Sequence, residues 1–398
     1  MDYQFPTITH IDQVLPAIEG APEFIHVVKD GYSIINYVVA GSETFPDVIA
    51  KEFYGQNYVP DTHAVVRREC RGLVFDPEGN LINRRYHKFF NVNERDETAI
   101  NAIDWTRPHV ILEKLDGSMV SPCFVHKHLR WMTKMGITDT SMEAEVFVAS
   151  RPVYAELARH YLKNGYTPIF EWCSNKNRIV LDYPEDRLVL TAMRDNITGN
   201  YVLQDALEAI GERYGIEVVK AWSHEQIQKM GTLIGIIREM EDAEGVVVRF
   251  DDGQMVKIKS DWYVRIHKVK SLLGQERDVV SLILKNELDD LLPILPEDDV
   301  LKIQKFKWEL EVSIAEVAFN IRRMVQDFVA SIDRKTFALE HGPKMDPMIR
   351  GLIFQFWDKE VNERLTYQAI VDMMIKNCGS NASYAKVKEA FMKEIHYV

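Results

Sequence analysis

Cysteine is scarce in this 398-residue chain: Cys70, Cys123, Cys173 and Cys378 stand far apart, with no Cys-x-x-Cys pair. That excludes a cysteine-built zinc site, a dithiol redox motif and a secreted disulfide framework. Long apolar runs are missing too, none nearing the roughly 18 residues that a membrane span needs. The opening residues, Met1-Asp2-Tyr3-Gln4-Phe5-Pro6, lack a basic and then apolar signal pattern. A reduced, cytoplasmic protein is the expectation. Positive charge is in deficit, with 48 Lys and Arg against 60 Asp and Glu and a net charge of −12. This balance excludes a general nucleic-acid coat but not an enzyme whose basic residues gather in one cleft. Walker lysine loops, dinucleotide glycine fingerprints and His-Glu-x-x-His zinc helices are absent. His126 and His128 have no third ligand nearby and read as a solvated hairpin edge.

What remains is ordinary globular protein, 46% hydrophobic and 27% charged, long enough for two or three domains. Up to about residue 262, β-branched and aromatic runs alternate with Gly, Pro, Asn and Asp. Arg71 to Phe75 and Gly245 to Phe250, each followed by a turn cluster, read as hairpins. Ser141 to Gly165 and Leu203 to Arg213 read as helices. The fold class is therefore α+β with antiparallel sheet, expected over residues 1–264. After about Arg265 the apolar period becomes helical through Ile303, Phe306, Leu310, Ile314, Val317, Ile321, Val325 and Phe328. Further helices are expected at Met348 to Trp357, Tyr367 to Lys376 and Tyr384 to His396. Residues 265–398 thus read as an all-α C-terminal domain.

The chemistry is concentrated in Glu113-Lys114-Leu115-Asp116-Gly117-Ser118. Val110-Ile111-Leu112 precede it and Met119-Val120 follow, so it reads as strand, tight loop, strand, with Lys114 in the loop. Other elements keep it company. Basic residues cluster at Arg67, Arg68, Arg71, Arg84, Arg85 and Lys88, the last within His87-Lys88-Phe89-Phe90-Asn91. Thr133-Lys134 follows, and Ile169-Phe170-Glu171-Trp172 is an apolar strand broken by one carboxylate. Glu244-Gly245-Val246-Val247-Val248 leads to Val256-Lys257-Ile258-Lys259. Strand alternation puts Lys257 and Lys259 on one face, where like charges are unfavourable unless an anion lies between them. A triphosphate is such an anion. Glu171 and Glu244 interrupt apolar strands and, with Asp116, could hold a hydrated Mg²⁺. A lysine amine, ordinarily near 10.4, must fall to about 7–8 to attack at neutral pH, and the metal with its neighbouring lysines would favour that. Taken singly, each element has a plainer reading: Lys257 and Lys259 as a solvated strand face, Glu171 in a structural ion pair, Arg71 and Lys88 on the surface. In this order, together, they point to a nucleotide site.

The ordered set resembles the covalent nucleotidyltransferases, the ATP-dependent ligases and mRNA capping enzymes. Within them it is most similar to the RNA ligase 1 family of T-even bacteriophages. The marks are Lys114-x-Asp116-Gly117-Ser118, the upstream Arg71-Gly72 and His87-Lys88-Phe89-Phe90-Asn91, and Asn177-Arg178-Ile179-Val180. Lys257-Ile258-Lys259-Ser260-Asp261-Trp262-Tyr263-Val264 is especially distinctive, and the likeness continues at Asp333 to Glu340. The resemblance implies an antiparallel-sheet adenylyltransferase domain, then a helical domain that chooses the RNA. It implies ATP and Mg²⁺ or Mn²⁺ as cofactors and a lysyl-AMP formed on Lys114. AMP then passes to an RNA 5′-phosphate, and a 3′-hydroxyl seals the break, as in repair of cleaved tRNA. Asp116, Glu171 and Glu244 match the family's acidic positions around the metal and ribose. Lys257 and Lys259 match its phosphate-binding lysines, Arg71, Lys88 and Lys134 its nucleotide contacts, and Glu113 and Gly117 flank the nucleophile within the nucleotide site. The protein would act as a monomer, without membrane, in the cytoplasm, and in the host's if phage-encoded. Departures are Arg85-Tyr86, where a proline and an apolar residue often stand, Met135 between Lys134 and Gly136, and the absence of any aromatic in Leu188 to Arg194. Alternatives are a DNA ligase, a GTP-dependent capping enzyme, or a non-catalytic protein that binds RNA ends.

Overall fold

The computed structural model describes residues 3–41, 43–48, 52–53, 56–57, 62–176, 178–222, 230–288 and 291–397. Asn177, named above, lies outside the described residues. The chain divides into two compact units, Met1–Val264 and Arg265–Val398.

In the first unit the strands are β1 (Phe24–Lys29), β2 (Tyr32–Tyr37), β3 (Glu52–Phe53), β4 (Gln56–Asn57), β5 (Leu73–Phe75) and β6 (Leu81–Asn83). Next come β7 (Phe90–Asn91), β8 (His109–Glu113), β9 (Ser118–Val125), β10 (His128–Met132), β11 (Tyr166–Cys173) and β12 (Arg187–Asp195). The last two are β13 (Gly245–Phe250) and β14 (Met255–Lys259). They pair as β1-β2-β5-β6, as β10-β9-β11-β12, as β7-β14-β13-β8, and as the small hairpin β3-β4. Among the described residues these strand pairings are antiparallel save one, in which β14 runs parallel to β7 through Val256↔Phe90 and Lys257↔Asn91. The expected α+β class with antiparallel sheet is borne out.

This topology decides where Lys114 sits. β8 belongs to one sheet and β9 to another, so the loop 114–117 is the crossing point between two sheets. Its start is pinned where the Lys114 amide donates to the Gly245 carbonyl at 2.9 Å. Its end is pinned by crowding: a Cβ on Gly117 would lie 2.5 Å from the Trp172 carbonyl oxygen. Gly245 itself adopts φ +136°, and a Cβ there would lie 2.0 Å from the Ile258 carbonyl oxygen. Only glycine lets β13 lie so close to β14 at that point.

The expected single helix Ser141 to Gly165 is two, Asp139–Ala149 and Pro152–Lys163. Pro152 has no N–H to continue the first helix and suits the opening turn of the second. Leu203 to Arg213 is the helix Gln204–Tyr214, ended by Gly215 at φ +63°. The His126 edge is a hairpin turn in which His126 and Lys127 both take positive φ, and His126 pairs with Asp30 at 3.1 Å.

A helix, Asp261–Leu273, carries the chain from the first unit into the second. The described residues of the second unit form helices and no strand, dominated by the 35-residue helix Glu297–Ser331. Its buried stripe is Ile303, Phe306, Leu310, Ile314, Ala318, Ile321 and Val325. Ala318 takes the place expected of Val317, which is only partly buried with Phe328. Helices Pro347–Phe356, Glu363–Asn377 and Asn381–Phe391 supply the other side of that core.

Candidate active site

A cavity of about 540 Å³ opens in the first unit beside the Lys114 loop. Arg71, Lys88, Lys134, Lys257 and Lys259 line it together with Lys114. Glu113, Gly117 and Glu171 are also in its wall. The pairing Gly245↔Lys259 and Val247↔Lys257 sets the two strand lysines on the cavity face, as alternation required. Glu171 arrives from the other sheet, opposite Met119 on β9 and Val189 on β12.

Glu244 lies behind the cavity wall, only 4% exposed, and bridges two amines. One carboxylate oxygen is 2.7 Å from Lys114 Nζ and the other 2.9 Å from Lys259 Nζ. Lys114 is thus held by a carboxylate at the rim of the cavity. Arg71, Lys88, Lys134 and Lys257 have no such partner, and none forms an ion pair among the described residues. They lie over aromatic rings instead. Lys88 and Lys134 stand 5.2 Å and 4.8 Å from the Tyr37 ring centroid, and Arg71 and Lys257 stand 5.8 Å and 5.3 Å from that of Phe89. An aromatic face attracts a cation without neutralising it, which leaves its charge available to an anion.

The electrostatics agree with that arrangement. Burial, then Arg71, Lys88 and Lys114, push Lys257 down to about 7. Burial and Arg71 likewise bring Lys88 down to about 8. Glu171 is pushed the other way, up to about 7, by burial first, with Glu244 and Asp116 adding to it against the pull of Lys114 and Arg71. Clustered cations that burial and mutual repulsion disfavour are the mark of an anion site.

Asp116, expected near the metal, is held by hydrogen bonds within the protein. It is 3% exposed, and one oxygen accepts the Val180 and Leu181 amides, both at 2.7 Å. The other accepts the Tyr263 hydroxyl at 2.7 Å, and its own amide donates to the Tyr183 hydroxyl at 2.9 Å. Asp116 therefore fixes the loop that carries Lys114. With Asp116 and Glu244 both engaged, no group of three His, Cys, Asp or Glu side chains among the described residues is arranged to hold a metal. Glu171 is left, and one or two carboxylates with phosphate oxygens and water suffice for Mg²⁺.

Several site residues carried no assignment in the sequence reading. Tyr263 stood within a quoted motif, but its partner is far away in sequence. Tyr37 is an ordinary strand residue in β2. Arg249 lines the cavity with only 4% exposure; it bonds Gln204 at 2.8 Å through Nη2, and its Nη1 has no partner. Its alternation with buried Val248 and Phe250 on β13 could have flagged it.

A lysine at the crossing of two sheets, amid unneutralised cations and buried carboxylates, defines an enzyme that works on phosphate groups. Residues 69–263 match the family model described as RNA ligase, and every cavity-lining residue except Tyr37 falls inside that stretch. The chain is accordingly an enzyme of the RNA ligase class. A Thermovibrio ammonificans protein whose name assigns it provisionally as an RNA ligase is 26% identical over 394 residues, covering 96% of this chain and 94% of that one. RNA ligase 1 of bacteriophage TS2126 is 26% identical over 244 residues, 59% of this chain and 60% of its own length. Among solved structures, an archaeal ATP-dependent RNA ligase aligns at 12% identity and a TM-score of 0.44, covering 92% of this chain and 97% of that one. Among the described residues, no helix is long and apolar enough to cross a membrane.

Proposed function

We propose that the protein is an ATP-dependent RNA ligase of the phage RNA ligase 1 kind, joining RNA 5′-phosphate and 3′-hydroxyl ends through covalent nucleotidyl transfer. The observation that carries this reading is the Lys114 amine on the wall of a cavity in which Arg71, Lys88, Lys134 and Lys257 have no carboxylate partner among the described residues. In this reading Lys114 Nζ attacks the α-phosphorus of ATP; the P–N bond forms and the bond to pyrophosphate breaks. Glu244, 2.7 Å from that nitrogen, is placed to take the proton. Arg71, Lys88, Lys257 and Lys259 hold the phosphate oxygens as charge shifts to the leaving pyrophosphate. Lys134 and Glu113 contact the nucleotide, and Gly117 lets the loop approach it. Mg²⁺ or Mn²⁺ held by Glu171 would neutralise phosphate charge, and Glu244 could join it only after passing that proton to solvent. The RNA 5′-phosphate then displaces the lysine from AMP. Finally the 3′-hydroxyl attacks the activated 5′-phosphorus and AMP leaves.

We further propose a cytoplasmic monomer, in the host's cytoplasm if phage-encoded, whose helical unit selects the RNA, a cleaved tRNA loop being the first substrate to try. The helical content of residues 265–398 supports this over DNA ligases and capping enzymes, in which a β-barrel would be expected there. The test is label transfer from α-labelled ATP and, separately, GTP to the protein, with Mg²⁺, on a denaturing gel. Label from ATP that vanishes in Lys114→Ala is expected. Label from GTP alone would move the chain to the capping enzymes, and label from neither would leave an RNA-end-binding protein.

A further inference from the structure

The cavity wall holds uncharged residues beside its cations. Leu112, Val219, Thr191 and Val247 are among them, and so is Tyr86. Of the aromatic rings in the wall, Tyr37 is covered by Lys88 and Lys134, and Phe89 by Arg71 and Lys257. Tyr86 is different, with no cation over its face among the described residues. It is also rigidly held. Tyr201 stacks on it with centroids 5.8 Å apart and planes at 29°, Phe89 meets it edge-on at 5.8 Å, and its hydroxyl lies against the Thr191 side chain. Backed, edged and tethered in this way, the half-buried ring keeps part of its surface open on the cavity. The strand that faces it across Thr191, β12, offers no aromatic from Leu188 to Arg194.

A nucleoside triphosphate needs both kinds of surface, cations for its anionic tail and an uncharged face for its flat base. The base has two π faces, and a fixed aromatic ring with no cation on it is the surface to which such a face binds. From this we infer that Tyr86 is the residue on which the nucleobase stacks, which makes it a positioning residue for the sugar and α-phosphate beside Lys114. The inference rests on the nucleotide reading given above.

The test compares the KM for ATP in label transfer with the inhibition constant of ribose 5′-triphosphate, which carries the tail and sugar without a base. In Tyr86→Leu the KM for ATP rises by about 10-fold or more while ribose 5′-triphosphate competes as it does against wild type, and Tyr86→Phe behaves as wild type. Equal weakening of both ligands in Tyr86→Leu would make the ring merely structural and overturn the inference. So would a wild-type enzyme on which ribose 5′-triphosphate competes as well as ATP binds, an outcome that needs no variant to fold. Either result, with wild type still labelled by ATP, leaves the ligase reading standing. No label from ATP in wild type removes both.

Discussion

Glu171 and Lys257 face the same cavity with their charged forms disfavoured, which raises Glu171 to about 7 and lowers Lys257 to about 7. As pH rises from about 6 to about 8, Glu171 gains a negative charge and Lys257 loses its positive one. The site therefore becomes less attractive to anions with rising pH. Pyrophosphate affinity measured by calorimetry should fall about 10-fold or more across that window, and Lys257→Arg, whose guanidinium stays charged, should flatten the change. A flat wild-type profile would contradict the electrostatic account. The stability sign follows separately. The folded pKa of Glu171 lies above its ordinary 4.5, so the native chain holds that proton more tightly than the unfolded chain does. Stability from this group is lost as pH rises from the ordinary value through about 7. Glu171→Gln should melt at a higher temperature than wild type near pH 8, yet lose about 100-fold in self-adenylation. Lower melting would show that the carboxylate has a stabilising partner in the native protein.

The Lys114 loop works because two strands hold its ends, and Gly117 is its tightest point. A methyl there would lie 2.5 Å from the Trp172 carbonyl, so either β11 or the loop must shift. Gly117→Ala is expected to cost about 1–3 kcal/mol of stability and at least about 10-fold in labelling, since small misplacements of a nucleophile are expensive. Thermal melts beside label transfer check both. Local elements of this kind were legible in the sequence: strand-loop-strand around Lys114, and Lys257 and Lys259 on one strand face, follow from periods of two and from turn residues. Pro152 was legible as well, and the helix through it should have been divided. Glu244 could be read only as a carboxylate in an apolar strand, because its pairing with both Lys114 and Lys259 depends on sheet register. The contacts of Asp116 were hidden for the same reason. Its partners Val180, Leu181 and Tyr263 come from distant segments, and no local pattern announces them.

Across the whole chain, the change from alternating to helical period near Arg265 coincides with the division into two compact units. If the helical unit selects RNA, a chain ending after Leu273, which keeps Tyr263, should still take label from ATP but fail to join nicked tRNA. Joining at an undiminished rate by the shortened chain would refute that assignment. The nucleotide chemistry was readable from the sequence because a few charged residues in a fixed order suffice to signal it. The RNA surface was not, since a helical unit of mixed charge advertises no single face. The Asp116 contacts carry a consequence for anyone who would recombine this protein with a relative. One carboxylate knits together the nucleophile loop, the turn at Val180 and Leu181, and the helix that begins at Asp261. Transplanting any one of these segments alone brings in a stranger to the other two, so viable chimaeras should inherit all three from one parent.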